Sequence, residues 1–188
     1  MQFYRGIFSH LPTLTTARLV LRPLRLSDAR DMFEYAKDPQ VSRYVLWDAH
    51  RSIRESRAYL FGALRQYRKG QPGSFAITLR DSGRMIGTVG FMWVNVDHHS
   101  AEVGYSLSRE YWNQGLMTEA LRAVVSFGFE TLRLNRIEAQ HDVANPASGR
   151  VMAHVGMKYE GILRQRMKNK RKYVDVALYA ILRDDPRL

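Results

Sequence analysis

The sequence predicts an α+β protein on a mixed sheet, and three observations carry that expectation. In order, the elements read as one strand, two helices, three strands, a helix, a strand, a helix and two strands, which a doubly wound parallel sheet does not give. The three middle strands are separated only by tight turns, so they form an antiparallel meander. Segment 118–131 carries Leu121, Val124, Val125, Phe127 and Phe129 around most of its circumference, the pattern of a helix buried on a sheet.

Each element has its own signal. Leu19 and Leu21 recur at strand period over 19–22, and Ser27-Asp28 then offers an N-cap. The helix that follows places Ala29, Met32, Phe33 and Ala36 on one face, and Asp38-Pro39 ends it. Leu60, Ala63, Leu64 and Tyr67 repeat at helical spacing within 53–68, with Gly70 as a stop and an aromatic loop, 41–50, ahead of it. Segments 75–79 and 85–94 flank Asp81-Ser82-Gly83 as a hairpin, and Asp97-His98-His99-Ser100 turns into a strand at 101–107. A strand at 136–141 follows the buried helix. Asn145-Pro146-Ala147-Ser148 opens a helix with Val151, Met152 and Val155 on one face, closed by Gly156. Strands at 158–161 and 173–182 finish the chain.

The composition narrows the function classes. At 188 residues, 45% hydrophobic and 25% charged, the chain is expected to be one domain, 1–188, with 1–12 as an N-terminal extension. It has no cysteine, so thiolate chemistry and disulfides are excluded. Its apolar runs fall far short of the roughly 20 residues that span a bilayer. Its start lacks the apolar core of a signal peptide, so no membrane role and a cytoplasmic location are expected. Lys and Arg number 29 against 18 Asp and Glu, a net charge of +11, which favours acidic partners such as nucleic acid, a ribosome surface or a phosphorylated cofactor. His98-His99 lacks a third ligand nearby, so no metal site is expected.

The segment that carries chemistry joins the strand at 101–107 to the buried helix. A strand followed by a tight turn at a helix N-terminus aims unpaired N–H groups and the positive dipole end at one point, an anion site, and Gly115 would let a phosphate approach the main chain. An ordinary turn is the alternative reading. Neither a P-loop nor a G-x-G-x-x-G pattern is present.

Taken together, three stretches resemble the GNAT acyltransferase superfamily: Ala101-Glu102-Val103-Gly104-Tyr105-Ser106-Leu107, the turn 112–117 with Thr118-Glu119-Ala120, and Leu134-Asn135-Arg136-Ile137-Glu138 through Asn145-Pro146-Ala147-Ser148 to Gly156. The ends of the chain, Thr16-Ala17-Arg18-Leu19-Val20-Leu21-Arg22, Asp38-Pro39-Gln40-Val41, Tyr159-Glu160-Gly161 and Tyr173-Val174-Asp175-Val176, are similar to the RimJ/RimL-type ribosomal-protein N-terminal acetyltransferases. The likeness covers about residues 15–182, in order.

What the resemblance implies is a strongly bent, mostly antiparallel mixed sheet whose central parallel strands, here 101–107 and 136–141, splay around acetyl-CoA. The family's pyrophosphate turn carries Gln or Arg, then Gly, then Gly or Ala, where this chain has Trp112, Gly115 and Met117, so two of three anchors depart. Cofactor contacts are expected from Tyr105, Leu107, Trp112, Asn113, Gln114, Gly115, Leu116, Met117, Thr118 and Asn145. Glu102 is the candidate general base and Ser148 the candidate general acid toward the CoA sulfur, against alternatives of a rim charge and a helix cap. A carboxylate that some relatives place late in the chain is replaced by Met167. Tyr44 and Trp47, with Asp48, fall where the family covers its acceptor pocket, or else pack as a hydrophobic loop. His141 and Asp142 either touch the amine or form a solvated loop. Lys168, Asn169, Lys170, Arg171 and Lys172 form a basic run, read as a hairpin tip or as a surface for rRNA or an acidic protein.

The expected function is acetyl transfer from acetyl-CoA to a primary amine by direct attack, with the α-amino group of a protein N-terminus, Ala or Ser of a ribosomal protein, as acceptor. Small amines are the alternative acceptors, and a CoA- or RNA-binding module without turnover is the rival class. Ribosome proximity and a homodimer are both compatible with the resemblance.

Overall fold

The computed structural model describes residues 2–186. Its strands are β1 (Leu14–Thr15), β2 (Leu19–Pro23), β3 (Ser74–Leu79), β4 (Met85–Asn95), β5 (Ser100–Leu107), β6 (Arg136–Asp142), β7 (Lys158–Asn169) and β8 (Lys172–Leu182). They form one sheet in the order β1-β2-β3-β4-β5-β6-β8-β7, antiparallel at every junction except β5 with β6. The helices are α1 (Gln2–Ser9), α2 (Ala29–Ala36), α3 (Pro39–Ser42), α4 (Ile53–Arg68), α5 (Leu116–Glu130) and α6 (Pro146–His154).

Strand alternation sorts side chains to two faces. On one face α5 buries Leu116, Ala120, Leu121, Val124, Phe127 and Phe129 in the same apolar core as Leu19, Leu21, Phe75, Val89, Phe91 and Val103. Phe127 meets Phe75 edge-on at 5.7 Å. Each such fully buried side chain contributes roughly 1.5–3 kcal/mol. On the other face α2 and α4 cover the sheet, with Tyr35 and Leu60 buried, and Thr88 Oγ1 lies 3.1 Å from Ser106 Oγ. The Arg22–Asp28 ion pair, at 2.7 Å, fixes the entry to α2 in a largely buried position.

Four elements differ from the sequence expectation, the smallest being β1, a two-residue strand that pairs Leu14 with Leu21. Residues ahead of Thr13 include α1, whose Tyr4 and Phe8 are buried; Phe8 lies 6.0 Å from Phe91, so tertiary packing holds a helix too short to be stable alone. Asp38-Pro39 ends α2 but also starts α3, since the Asp38 carboxylate accepts the Gln40 N–H at 2.9 Å and Pro39 sits at the first helical position. The strand expected at 158–161 runs on to Asn169, through a largely exposed stretch whose polar sequence shows no alternation and whose register shifts twice against β8.

The basic run is therefore split across a hairpin tip, and the tip is docked. Asn169 Nδ2–H donates to the Arg43 carbonyl at 3.2 Å, and Lys170 Nζ donates to the Ser42 carbonyl at 3.0 Å. Lys168 stands over the Tyr173 ring at 5.6 Å.

Candidate active site

The parallel pairing of β5 with β6 lasts only from Ser100↔Arg136 to Glu102↔Glu138. Beyond that point β5 stays with β4 as far as Leu107, while β6 stays with β8 as far as Asp142, so a cleft opens between them. Ser108 N–H donates to the Ile86 carbonyl at 2.8 Å, and N–H direction alternates along a strand, so the N–H groups of Tyr105 and Leu107 face the cleft. Two main-chain donors thus line a gap where a carbonyl oxygen could be polarised.

The turn into α5 is held in an unusual backbone state. Asn113 and Gly115 have φ of 58° and 74°, both left-handed, and Gly115 adopts its value without the strain a side chain would bring. The first ladder bond is Glu119 N–H to the Gly115 carbonyl at 3.0 Å, so the N–H groups of Leu116, Met117 and Thr118 lie ahead of the ladder and converge with the dipole. The two departures from the family's turn have physical roles here. Trp112 Nε1–H donates to the Leu107 carbonyl at 2.8 Å and closes the turn, while Met117 sends its side chain into the core and leaves its N–H outside. Gln114 Nε2–H donates to the Glu110 carbonyl at 2.8 Å.

A clamp unread in the sequence braces this turn from the connection between β1 and β2. Glu119 accepts from Thr16 Oγ1 at 2.6 Å, from the Arg18 N–H at 2.8 Å and from Arg18 Nε at 2.7 Å, while Arg18 Nη1 donates to the Gln114 carbonyl at 2.9 Å. Burial alone would raise the Glu119 carboxyl, but these donors together hold it below the ordinary glutamate value. From Gly115 a groove of about 800 Å³ runs between α5 and α6, carrying Arg18, Arg122 and His154. Free N–H groups, a left-handed glycine and three basic side chains along one groove fit the phosphates of a nucleotide-containing cofactor.

The remaining candidates fall on opposite faces of β5. Tyr105 and Ser148 come together on the α5 side: the Tyr105 hydroxyl donates to the Ser148 carbonyl at 3.0 Å and lies 2.9 Å from Ser148 Oγ. Burial pushes the Tyr105 phenol well above its ordinary value, so it keeps its proton. Asn145 stands at the start of α6 just beyond β6 and makes no side-chain cap bond, so its amide is not committed to the helix start. Glu102 lies on the other face, half-buried, with Oε2 accepting from Trp93 Nε1–H at 2.7 Å and Oε1 from Gln140 Nε2–H at 3.0 Å. Glu102 is thereby neither a free rim charge nor part of an ion pair, and two of its roughly four lone-pair sites remain.

Neither Tyr44 nor Trp47 is a hydrogen-bond partner of the Glu102 carboxylate, whose partners are Trp93 and Gln140. Trp47 packs on the core and against His50 at 5.6 Å, and the Tyr44 ring is covered by the Arg43 guanidinium at 5.1 Å. His141 and Asp142 both lie in β6 and are buried, so they do not form a solvated loop; His141 faces Gly149 of α6, and its Nδ1 bonds to the Asp142 carbonyl at 2.8 Å. Trp93 and Gln140 escaped sequence reading because a β4 bulge at Met92 and the splay of β6 decide that they meet Glu102.

Comparison with known proteins agrees with this geometry. The pattern of the Acetyltransferase (GNAT) domain matches residues 18–158. The chain is 35% identical to an uncharacterized N-acetyltransferase of Bacillus subtilis, YoaA, over 92% of this chain and 97% of that one. It is 32% identical to an uncharacterized N-acetyltransferase, p20, of Bacillus licheniformis, with the same coverage of 92% and 97%. With the [ribosomal protein uS5]-alanine N-acetyltransferase of Escherichia coli the identity is 29%, over 96% of each. Among solved structures, Mycobacterium smegmatis RimJ in complex with CoA-disulfide superposes with a TM-score of 0.83 at 24% identity, over 93% of this chain and 88% of that one. The chain belongs to the GNAT acetyltransferase family and is an N-acetyltransferase.

Proposed function

We propose that the chain transfers an acetyl group from acetyl-CoA to the N-terminal α-amine of a cytoplasmic protein, with Ala or Ser first, by direct attack in a ternary complex. The observation that carries this is the three-residue limit of the β5–β6 pairing, which opens one cleft with a carboxylate on one face and a paired phenol and hydroxyl on the other. Acetyl-CoA supplies the acetyl group as an activated thioester. Its phosphates would lie on the N–H groups of the 113–118 turn and in the Arg18–Arg122 groove, and its pantetheine arm would run along β5 to Asn145.

The chain's own groups then divide the work. Glu102 takes the amine proton through its remaining lone pairs, its orientation fixed by Trp93 and Gln140. The Tyr105 and Leu107 N–H groups meet the developing oxyanion. Tyr105 places its own proton on the Ser148 carbonyl and accepts from Ser148 Oγ–H, which holds that hydroxyl ready to turn toward the leaving sulfur. The protein-acceptor reading is supported by the relative that acts on ribosomal protein uS5.

The test is CoA-thiol release from acetyl-CoA with short peptides beginning with Ala, Ser or Met, run beside spermidine and an aminoglycoside. The chain contains no cysteine and adds no thiol background. Release with Ala- or Ser-led peptides is expected; release with a small amine alone would move the acceptor class to metabolites or drugs.

A further inference from the structure

A second groove, of about 570 Å³, lies between α4 and the Glu102 face of the sheet, and its lining includes Tyr59, Ser74 and Met92 together with Arg65 and Lys69. Its floor includes the buried Ser74, whose carbonyl accepts from the Tyr67 hydroxyl. Its inner end lies beside the chemistry. Met92 is the bulged residue of β4, and a Cβ built on Gly104 would lie 3.0 Å from its Sδ, so the thioether covers Gly104. Gly104 follows Glu102 on the same face of β5, and Trp93, next to Met92, holds the Glu102 carboxylate.

The charges along this groove have one sign. Among the described residues no Asp or Glu lines it, and the exposed Arg65 and Lys69 have no ion-pair or side-chain hydrogen-bond partner. The outer side of α4 adds Arg54, Arg57 and Arg68, also exposed and unpaired among the described residues. The one acidic residue of α4, Glu55, accepts the Arg51 N–H at 3.0 Å. Arg65, Arg68 and Lys69 lie at the C-terminal end of α4, where basic side chains complement the helix dipole, but their crowding leaves part of that charge unbalanced. Arg54 opposes the dipole in the first turn, and Arg65 faces like charges at Arg68 and Lys69, three and four residues on.

We propose that this groove takes the segment of the acceptor that follows its N-terminal amine, and that Arg65 and Lys69 select acidic sequence there while Glu102 receives the amine. The proposal rests on the protein-acceptor reading above and names its substrate class: an acidic polypeptide N-terminus. A polyamine is disfavoured, because its distal cations would face Arg65 and Lys69.

The experiment compares two Ala-led peptides of equal length, one rich in Glu and Asp and one rich in Lys, with the wild-type chain and with the Arg65→Glu/Lys69→Glu double variant. The wild type should favour the acidic peptide by about tenfold in kcat/KM, through KM, with the preference shrinking as salt rises. The double variant should invert the preference while its affinity for CoA is unchanged. Equal preference in both proteins, or none in either, overturns the proposal. Binding of the same peptides, fluorescently labelled, to the CoA-loaded protein separates the two readings. Charge-dependent binding without acetylation keeps the groove and sinks the acceptor assignment; no peptide binding sinks both. A single-stranded RNA that binds through Arg65 and Lys69 more tightly than the acidic peptide would reassign the groove to nucleic acid.

Discussion

The two sides of the β5–β6 cleft are built in different ways. The side that fits the cofactor comes from two short continuous stretches, 101–118 and 136–148, braced by Thr16 and Arg18. The side that faces the acceptor is gathered from α4, the bulge of β4 and single residues of β5 and β6. A turn whose donors are main-chain N–H groups tolerates substitution at its side chains, which is why Trp112 and Met117 can stand where the family has other residues. A pocket made of side chains from distant segments has no such tolerance, and it is where relatives of one fold diverge in substrate.

The sharpest way to separate the two sides is Glu102→Gln. The amide keeps one oxygen to accept from Trp93 but cannot take a proton, so kcat should fall by about a hundredfold or more. CoA affinity, read by thermal shift, should not change, because Glu102 points to the face opposite Tyr105 and Ser148. An unchanged kcat would remove Glu102 from the chemistry and leave water as the base.

The next effect lies on the cofactor side. Ser148→Ala and Tyr105→Phe are each expected to lower kcat by about tenfold, and the double variant by little more than either alone, since the two hydroxyls act through one contact at 2.9 Å. Fully additive losses would show that they serve separate steps. A smaller change is expected from Trp93→Phe, which removes one of the two donors on Glu102 and leaves the carboxylate freer to rotate. A loss of a few-fold in kcat, with KM for acetyl-CoA unchanged, would support a positioning role. An equal loss in Glu102→Gln/Trp93→Phe relative to Glu102→Gln would count against it.

This contrast also explains what could be read before the structure was known. Helical and strand periods placed α4 at 53–68 and most strands to within two residues, because those patterns are local. The splayed pair was expected from the family resemblance, which is carried by the continuous stretches 101–107, 112–120 and 134–148. What stayed hidden depends on through-space geometry. Helix α1 exists because Phe8 reaches Phe91, and β7 extends because β8 offers it a partner. Gln140 reaches Glu102 only because β6 turns away after Glu138. His141 and Asp142 show the same limit: polar residues at a strand end can read as solvated, yet both are buried, with Gly149 of α6 against His141.

The smallest expected effect concerns the clamp that joins the cofactor turn to the connection between β1 and β2. Glu119→Gln keeps the shape of the side chain but removes the charge that accepts from Thr16 and from both the main chain and the guanidinium of Arg18. With the native carboxyl held below its unfolded value, the unfolded state binds more protons as the medium is acidified. The stabilisation from Glu119 is therefore complete above the ordinary glutamate range and is lost as pH falls through the depressed native value. At neutral pH the variant should melt a few degrees lower than the wild type, about 2–4 °C for each 1 kcal/mol in a chain of this size. The difference should close on acidification, and calorimetry across pH 7 to 3 would show it. A gap that stayed constant with pH would mean that the clamp works through shape and hydrogen bonding rather than charge.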